Sequence, residues 1–172
     1  TDAADSALCM TSEDVVIWVL SMSYHFVVTI LLFLRRASTI VLCGNDFPES
    51  FIENIQLRKG TFTYASPFHY NLLSNSDGIP TDLFSGVRIA VSTAMKLPHS
   101  TADEFYDKFG VELSEAYGII EVGLPFINLS KNPSKRGSAG KVLPDYAIKI
   151  ENMDKEGVGE LCLRGRRFLE PL

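Results

Sequence analysis

The sequence lacks an excess of positive charge. Lysine and arginine together number 16 against 21 aspartates and glutamates, which gives a net charge of −5 and a pI near 5.2. A protein that binds nucleic acid needs a basic patch or stripe to neutralise phosphate groups. We therefore predict that nucleic acid is not a partner of this chain.

Cysteine is also scarce, and its spacing carries no signature. The three cysteines, Cys9, Cys43 and Cys162, are far apart, and no CxxC pair occurs. Neither a disulfide framework nor a zinc site is indicated by such a pattern. We expect buried, unreactive thiols and a reducing, cytoplasmic setting.

One uncharged stretch is long enough to cross a bilayer. It covers residues 15–34, twenty positions that read VVIWVLSMSYHFVVTILLFL. Polar side chains interrupt its middle, where they are most costly in a membrane: Ser21, Ser23, Tyr24, His25 and Thr29. We therefore expect no transmembrane segment, but a buried strand, a polar turn and a buried helix. The acidic N-terminal residues Asp2 and Asp5 do not resemble the basic start of a signal peptide.

The overall composition is that of a globular protein. Of the 172 residues, 46% are apolar and 22% are charged. This length suits one domain, or one domain with a small appendage. The chain can bury roughly 70% of its unfolded surface if it closes on itself.

Strand and helix signals alternate with short links over residues 14–117. The predicted strands are 15–20, 39–42, 61–64, 87–91 and 111–117, and the predicted helices are 26–36, 49–58, 66–74 and 98–109. The strand segments lack period-two alternation, as expected of strands that are buried on both faces. This pattern predicts an α/β fold with a mostly parallel sheet and helices on both faces.

The pattern changes after residue 122. Residues 146–150 and 160–164 have the character of two strands, and a glycine turn at 157–159 separates them. We predict a small antiparallel β unit there, which resembles part of a barrel. The predicted division is residues 1–124 for the α/β subdomain and residues 125–172 for the partial β-barrel subdomain.

Small and polar residues are concentrated where the predicted parallel strands end. These positions are 21–25, 43–46, 65–69, 92–95 and 117–121. Open α/β sheets bind ligands outside the carboxyl ends of their strands. A ligand site at this edge is one interpretation, and ordinary surface loops are the other.

The segment from Glu115 to Glu121 contains the residue types best suited to binding a ligand. Tyr117 offers a flat face for stacking, Gly118 permits close approach of the backbone to a ligand, and Glu121 supplies an oxygen ligand suited to Mg²⁺ near phosphates. The alternative is a tyrosine in the core and a solvated glutamate.

Four blocks in the same order resemble the adenylate-forming superfamily, which contains acyl-CoA synthetases, adenylation domains and luciferases. They are residues 20–26 (LSMSYHF), 88–98 (RIAVSTAMKLP), 115–121 (EAYGIIE), and 137–144 together with 159–165. The third block resembles the family's tyrosine-glycine-x-threonine-glutamate motif. The chain is accordingly identified as an internal piece of the family's large N-terminal domain.

The resemblance implies an AMP-forming acid–thiol ligase. Such an enzyme activates a carboxylic acid with ATP and Mg²⁺ and passes the acyl group to a thiol, usually that of CoA. The residues that it assigns to the nucleotide are Thr93, Ala94, Met95, Glu115, Ala116, Tyr117, Gly118 and Ile120. Those that it assigns to the acid, an aryl or fatty acid, are His25, Val122 and Gly123. Glu121 is the implied catalytic residue and metal ligand, and Tyr117 would stack on adenine.

Several positions depart from the family pattern. Ile120 replaces the motif's threonine, Thr93 and Ala94 replace two glycines, and Ser21 replaces a proline. The family's phosphate loop and C-terminal domain are not recognisable here, so we expect this chain alone to be catalytically incompetent. A degenerate, non-catalytic module for acyl or nucleotide binding, or for interaction, is the alternative. Apolar surface left uncovered would favour self-association.

Two groups of basic or imidazole side chains are expected to lie in loops or helix caps without a ligand. His69 and His99 are expected in loops or helix caps, because neither has a partner at metal-ligand spacing. The cluster Lys131, Lys135 and Arg136 could touch a CoA phosphate, but a solvated loop is the preferred interpretation.

Overall fold

The apolar segments form one seven-stranded sheet and one two-stranded sheet in the computed structural model, which describes residues 2–165. The strands are β1 (Val15–Trp18), β2 (Thr39–Leu42), β3 (Phe62–Ala65), β4 (Ile89–Ser92), β5 (Leu113–Ile119), β6 (Gly123–Asn128), β7 (Lys141–Val142), β8 (Tyr146–Glu151) and β9 (Glu160–Gly165). The large sheet has the order β2-β1-β3-β4-β5-β6-β7, and β8 pairs with β9. Strands β1 to β5 pair in parallel, whereas β6 and β7 join in antiparallel fashion.

Six α-helical segments accompany the strands. They are α1 (Asp2–Leu8), α2 (Met22–His25), α3 (Leu31–Arg35), α4 (Glu49–Leu57), α5 (Pro67–Asn75) and α6 (His99–Phe109) within the described residues. A π-helical turn, Phe26–Ile30, joins α2 to α3, so that one continuous helix runs from 22 to 35. Helix α6 ends at Gly110, which adopts the left-handed conformation with φ 68° that favours glycine at this position.

Helices cover both faces of the large sheet. Along β1, Val16 and Trp18 pack on one side with α1 and the helix of residues 22–35, whereas Ile17 packs on the other with α4, α5 and α6. Successive side chains of a strand point to opposite faces, and here both faces are apolar. The predicted α/β class, with a mostly parallel sheet and helices on both faces, is confirmed.

The beginning of the chain differs from the prediction. Residues 2–8 form a helix that was not among the predicted elements, and the expected polar turn at 21–25 is helical from Met22 onward. Helix α1 is held by tertiary contacts: Leu8 is buried, and the carboxylate of Asp5 accepts a 2.8 Å hydrogen bond from Nε of Arg36. A seven-residue helix depends on such packing, because its own propensity is too weak to stabilise it.

The uncharged stretch of residues 15–34 divides between β1 and the following helix, as predicted. Its polar residues Ser21, Ser23 and Tyr24 are exposed to solvent. Within residues 2–165, every helix is too short or too polar to cross a bilayer.

One of the three cysteines is not buried as expected. Cys43 and Cys162 are partly buried, but Cys9 is exposed, because it follows the end of α1 at the surface. Burial raises the pKa of Cys43 to about 11, which keeps this thiol protonated and unreactive at neutral pH.

The second part of the chain contains the predicted pair of antiparallel strands, β8 and β9. They pair from Tyr146 with Gly165 to Glu151 with Glu160. Strands β6 and β7, however, extend the large sheet beyond residue 124. The division into subdomains at that residue therefore stays a prediction.

Candidate functional site

A cavity of about 170 Å³ opens at the carboxyl ends of the parallel strands. Its walls come from the helix after β1, the ends of β3 and β4, and the turn after β5. The lining residues are Tyr24, His25, Val28, Tyr64, Thr93, Ala94, Gly118, Ile119, Ile120 and Leu124. Ligands of open α/β sheets bind at this edge, so its position is that of a binding site. We call it the ring cavity, because aromatic rings form one side of it.

Three rings pack together on that side. Tyr64 is fully buried and stacks on Trp18, with ring centroids 5.0 Å apart and planes inclined by 10°. The His25 ring lies edge-on to both, at 5.3 Å from Trp18 and 5.8 Å from Tyr64. Offset stacking and edge-to-face contacts are the favoured geometries of such rings. The packing of these rings on one another therefore fixes this wall of the cavity.

Burial changes the ionisation of two of these side chains. It raises the pKa of Tyr64 to about 12, so the phenol stays protonated. It also lowers the pKa of His25, because desolvation disfavours the charged imidazolium. His25 is therefore a neutral imidazole at pH 7, able to donate one hydrogen bond and accept another.

His25 stands at an irregular point of its helix. It is the last residue of α2, and the π-helical turn Phe26–Ile30 begins directly after it. The hydroxyl of Thr29 donates a 3.2 Å hydrogen bond to the His25 carbonyl. Single π-helical turns in α-helices occur frequently at functional sites. Here the π-helical turn directly follows the residue whose imidazole lines the cavity.

The loop after β4 is held by Thr93 and is strained at Ala94. The Thr93 hydroxyl donates to the carbonyl of Ala116 at 3.1 Å, and its backbone N–H donates to the carbonyl of Ala65 at 3.0 Å. Ala94 has a φ of 71°, in the left-handed region that disfavours a Cβ atom. Backbone strain of this kind is concentrated at binding sites, where surrounding structure maintains it.

Gly118 has a packing role as well as a place in the cavity wall. A Cβ atom there would collide with the carbonyl oxygen of Gly123 and touch the side chain of Leu124. The β5–β6 hairpin therefore fills the space that the sequence suggested for a ligand. The register of the two strands is irregular between Tyr117 and Ile119.

A larger groove of about 400 Å³ adjoins the ring cavity. It lies between the helix of residues 22–35 and the turn at 120–124, and its lining residues include Val27, Leu31, Glu121, Val122, Gly123 and Tyr146. The Tyr146 hydroxyl donates to the Val122 carbonyl at 2.7 Å and so joins β8 to this turn. Val28, Ile120 and Leu124 line both the groove and the ring cavity.

Only half of the residues predicted to bind the nucleotide line the ring cavity. Thr93, Ala94, Gly118 and Ile120 line the ring cavity together with His25. The other four lie outside both cavities: Met95, Glu115, Ala116 and Tyr117. Of these, Ala116 is buried in the core and contributes its carbonyl to Thr93.

Glu115 and Tyr117 lie on the opposite face of the sheet from the ring cavity, as alternation along β5 requires. Burial raises the pKa of Glu115, although its carboxylate accepts a 3.3 Å hydrogen bond from the backbone N–H of Leu97. Tyr117 is 43% exposed and packs edge-on against Phe126, at 5.8 Å between centroids. Nearly half of this side chain is therefore accessible to a ligand.

Glu121 lies at the rim of the groove and is exposed. Among the described residues, no group of three histidine, cysteine, aspartate or glutamate side chains could enclose a metal ion. A single carboxylate fits the way in which proteins bind Mg²⁺ with a nucleotide, where phosphates and water supply most ligands. The donor set therefore suits a metal brought by a substrate.

The remaining candidates have structural partners. His69 closes a capping box with Ser66 at the start of α5, as predicted for a helix-cap residue. Arg136 is 11% exposed and is clasped by the carboxylates of Glu112 and Asp103. The interpretation of Arg136 as part of a solvated loop is therefore wrong, and this cation is not free to bind a phosphate.

Five residues of the ring cavity were not identified from the sequence: Tyr24, Val28, Tyr64, Ile119 and Leu124. Tyr64 is near the predicted end of its strand, and Tyr24 lies within the first family-like block, so both had a positional signal. Val28 and Leu124 had none, because an apolar residue that lines a cavity looks in sequence like one in the core.

Comparison with known proteins shows which family the sequence matches. The sequence model of the family described as AMP-binding enzyme matches residues 2–170. A probable 4-coumarate–CoA ligase of Dictyostelium discoideum is 25% identical over 150 residues, which are 83% of this chain and 27% of that protein. A p-hydroxybenzoic acid–AMP ligase of Mycobacterium marinum is 31% identical over 100 residues, or 55% of this chain and 14% of that protein. The chain thus spans about a quarter or less of these relatives.

Solved structures share the fold. A malonyl-CoA ligase in a ternary product complex with methylmalonyl-CoA and AMP superimposes with a TM-score of 0.83 at 24% identity, over 95% of this chain and 37% of that one. An amide bond synthetase from Marinactinospora thermotolerans gives a TM-score of 0.80 at 20% identity, over 95% and 35% of the two chains.

Proposed function

Because the chain belongs to the AMP-binding enzyme family, whose sequence model matches residues 2–170, we propose that it forms the acid- and nucleotide-binding part of an AMP-forming acid–thiol ligase. In the first half-reaction a carboxylate oxygen attacks the α-phosphorus of ATP, and pyrophosphate leaves. In the second, a thiol such as that of CoA attacks the acyl carbonyl, and AMP leaves. The resulting thioester is the product.

The ring cavity is the observation that carries this proposal. It combines an aromatic wall, an apolar interior and a neutral imidazole at the edge of the sheet where α/β proteins bind ligands. Small-molecule sites have this composition, with few polar groups among many apolar ones. We assign the cavity to the apolar part of the acid.

His25 would position the carboxylate of that acid. Because burial keeps its imidazole neutral, His25 can donate a hydrogen bond without forming an ion pair that would weaken the nucleophile. In-line attack on phosphorus depends on positioning and on neutralising charge more than on a general base. His25 would meet the positioning part of that requirement, and charge neutralisation would come from the metal ion bound with the nucleotide.

The nucleotide would bind across the end of β5, between Tyr117 on one face of the sheet and Glu121 beside the groove. The exposed face of Tyr117 would stack on adenine, and the backbone of residues 93–95 would border the base. Glu121 would contribute one oxygen to Mg²⁺, and the nucleotide's phosphates would contribute others. When bound, the ion supplies charge neutralisation at the phosphates. We propose a cytoplasmic location, where ATP and CoA are available.

AMP binding to the 172-residue chain tests the nucleotide part of the proposal. Isothermal titration calorimetry should detect AMP binding, and Tyr117→Ala should weaken the affinity about fivefold or more, since base–aromatic stacking contributes about 1–3 kcal/mol. Tyr117→Phe should retain the affinity. Tyr106 is exposed to a similar degree, 44%, so Tyr106→Ala is the matched control. Absence of AMP binding, or equal loss in both alanine variants, would contradict the proposal.

A non-catalytic acyl- or nucleotide-binding module is the second candidate, and Ile120 favours it. An isoleucine cannot donate a hydrogen bond to a phosphate where the family motif has threonine. We expect the isolated chain to show no ATP–pyrophosphate exchange with any acid. Exchange above the level of a Glu121→Ala control would exclude the non-catalytic interpretation. Ile120→Thr should strengthen ATP binding if the lost hydroxyl is the cause.

We also propose self-association through exposed apolar surface. Tyr24, Val27 and Leu34 are each more than half exposed on the helix of residues 22–35. Unpaired apolar surface of this kind favours association. Light scattering should give a mass above 19.1 kDa, and Val27→Glu should reduce it. A monodisperse monomer would contradict this proposal.

A further inference from the structure

The two edges of the large sheet differ in character within residues 2–165. One edge is β7, which has only two residues and begins with the exposed Lys141. The other edge is β2, Thr39–Leu42, which is as long as its neighbour β1. Shortness and lysine are devices that protect a sheet edge from pairing with another chain. Strand β2 has neither of these protections.

The sequence and geometry of β2 favour further strand pairing. The strand reads TIVL and contains no charged residue, proline or glycine. Its register with β1 is regular along its whole length, so no bulge turns this edge away from an incoming strand. Thr39 is exposed and Leu42 is 58% exposed, while Ile40 and Val41 are partly exposed. The edge is therefore accessible.

Hydrogen-bond alternation shows which backbone groups of β2 point outward. The N–H groups of Thr39 and Cys43 donate toward the β1 side, at 2.9 and 3.0 Å. Every second residue of a parallel strand bonds to the same neighbour, so Val41 also faces β1. The N–H and C=O groups of Ile40 and Leu42 therefore face away from the sheet, where the described part of the chain has no further strand.

These outward groups are arranged so that β2 can pair with a second copy of itself. Ile40 and Leu42 lie on either side of Val41. A two-fold axis at Val41 would pair Ile40 of each copy with Leu42 of the other in antiparallel fashion, and each such pair exchanges two hydrogen bonds. A patch that is complementary to itself is what a closed, two-fold dimer requires.

Charges beyond the two ends of β2 favour the same arrangement. The helix before β2 ends in Arg35 and Arg36, whose side chains are 57% and 47% exposed although each pairs with a carboxylate of α1. Asp46 follows β2 and is exposed. Antiparallel pairing would bring the basic end of one copy toward Asp46 of the other, and opposite charges steer such an encounter.

We propose that β2 is a docking edge for a second copy of this chain, with the two β2 strands antiparallel and centred on Val41. This inference goes beyond the proposed ligase function and does not depend on it. It also concerns a different surface from the helix side that carries Tyr24 and Val27. Pairing of one short strand buries less area than a stable dimer needs, so the association is weak and transient.

Disulfide trapping captures a weak pairing and reports its register. At the two-fold axis the two Val41 residues would form a non-hydrogen-bonded pair with Cα atoms about 4.5 Å apart, a distance that a disulfide bridges. The test uses the 172-residue chain with its three native cysteines replaced by serine. In that background Val41→Cys should form a covalent dimer under mild oxidation, seen on a non-reducing gel and reversed by reduction.

Leu42→Cys in the same background is the matched control. Leu42 is the more exposed position, so random collision would cross-link it more readily than Val41. In the proposed register Leu42 faces Ile40 of the other copy rather than its own equivalent, so its dimer yield should be about fivefold lower or less. Adding Leu42→Pro to Val41→Cys removes one outward N–H group while the bonds to β1 remain, and should abolish most of the cross-link.

Amide hydrogen exchange of the unaltered chain gives a second measurement that needs no variant to fold. The Ile40 and Leu42 amides should exchange more slowly as the protein concentration rises, whereas the Val41 amide, bonded to β1, should not respond. Equal cross-linking of the two cysteine variants, or exchange at Ile40 and Leu42 that ignores concentration, would overturn the docking edge. Loss of the Val41→Cys cross-link on adding Val27→Glu would also overturn it, because association would then belong to the helix.

Discussion

The guanidinium of Arg88 donates two hydrogen bonds to the carboxylate of Asp14, each 2.7 Å between heavy atoms. A further bond, 3.0 Å long, runs from Nη1 of Arg88 to the carbonyl of Leu8 at the end of α1. Asp14 precedes β1 and Arg88 precedes β4, so this pair fastens the edge of the sheet opposite to the ring cavity. Its role is structural, and it makes a prediction about acid stability.

Burial alone would raise the pKa of Asp14, but hydrogen bonds from Arg88, from the Thr11 backbone N–H and from the Thr61 hydroxyl together lower it to about 2. The unfolded chain has the ordinary value near 3.9. The carboxylate therefore stabilises the fold above about pH 4, and this contribution is lost as the pH falls toward 2. Asp14→Asn should cost about 2–3 kcal/mol at pH 7 in urea unfolding.

The control for this variant is Asp82→Asn, which changes an exposed loop aspartate and should be nearly neutral. The cost of Asp14→Asn should shrink between pH 4 and pH 2. An equal cost at pH 7 and pH 2 would contradict the assignment of the low pKa to Asp14.

Ser92 and Thr93 are adjacent residues with buried hydroxyl groups. We expect removal of these two hydroxyls to change the stability in opposite directions. Within the described part of the chain, the Ser92 hydroxyl has no hydrogen-bond partner, whereas that of Thr93 donates to Ala116. Ser92→Ala should be neutral or stabilising by about 1 kcal/mol, since it removes an unpaired polar group. Thr93→Val, nearly equal in shape, should cost about 1 kcal/mol. Thermal unfolding of the two variants checks the difference in sign, and comparable destabilisation by both would refute it.

Ala94→Gly should stabilise the chain by about 0.5–1 kcal/mol. The left-handed conformation costs alanine about 1–2 kcal/mol, and the greater freedom of glycine in the unfolded chain offsets part of the gain. Ala37, with φ 55°, shares this strain but lies after α3, outside both cavities. Ala37→Gly should therefore give a similar stabilisation and leave AMP binding unchanged. Chemical denaturation measures both, and destabilisation by Ala94→Gly would show that the strain is absent.

We predict that Arg136 acts as a clamp, in the sense that it holds the loop that follows β6 against Glu112 and Tyr106. Its Nη2 donates to Glu112 at 2.6 Å, and its guanidinium lies 5.4 Å from the centre of the Tyr106 ring. Arg136→Ala leaves the nearly buried Glu112 carboxylate unpaired and should cost about 3 kcal/mol. Arg136→Lys should recover part of this, because lysine keeps the charge but loses the two-pronged contact. Urea unfolding is the measurement. Lys135→Ala, at the exposed neighbouring position, should be neutral, and a similar loss there would argue against a clamp.

The order of elements was readable from the sequence because it depends on local signals. Apolar runs marked β1 to β5, Ser66 followed by Pro67 marked where α5 begins, and Gly110 marked where α6 ends. Helix α1 was missed because its stability comes from Leu8 in the core and from Asp5 bound to Arg36. Those partners are distant in sequence, so no local pattern announces them.

By itself, the sequence determined the α/β class and the family, since each depends on periodicity or on residue order, whereas the ligand site at the carboxyl edge of the sheet stays a prediction. Tertiary structure alone decided which candidates meet. It placed Gly118 in the ring cavity and Tyr117 on the opposite face, and it brought Val28 and Leu124 to a wall shared with Ile120. The physical reason is that a cavity is defined by side chains from separate elements, and strand alternation together with one register shift sets where each points.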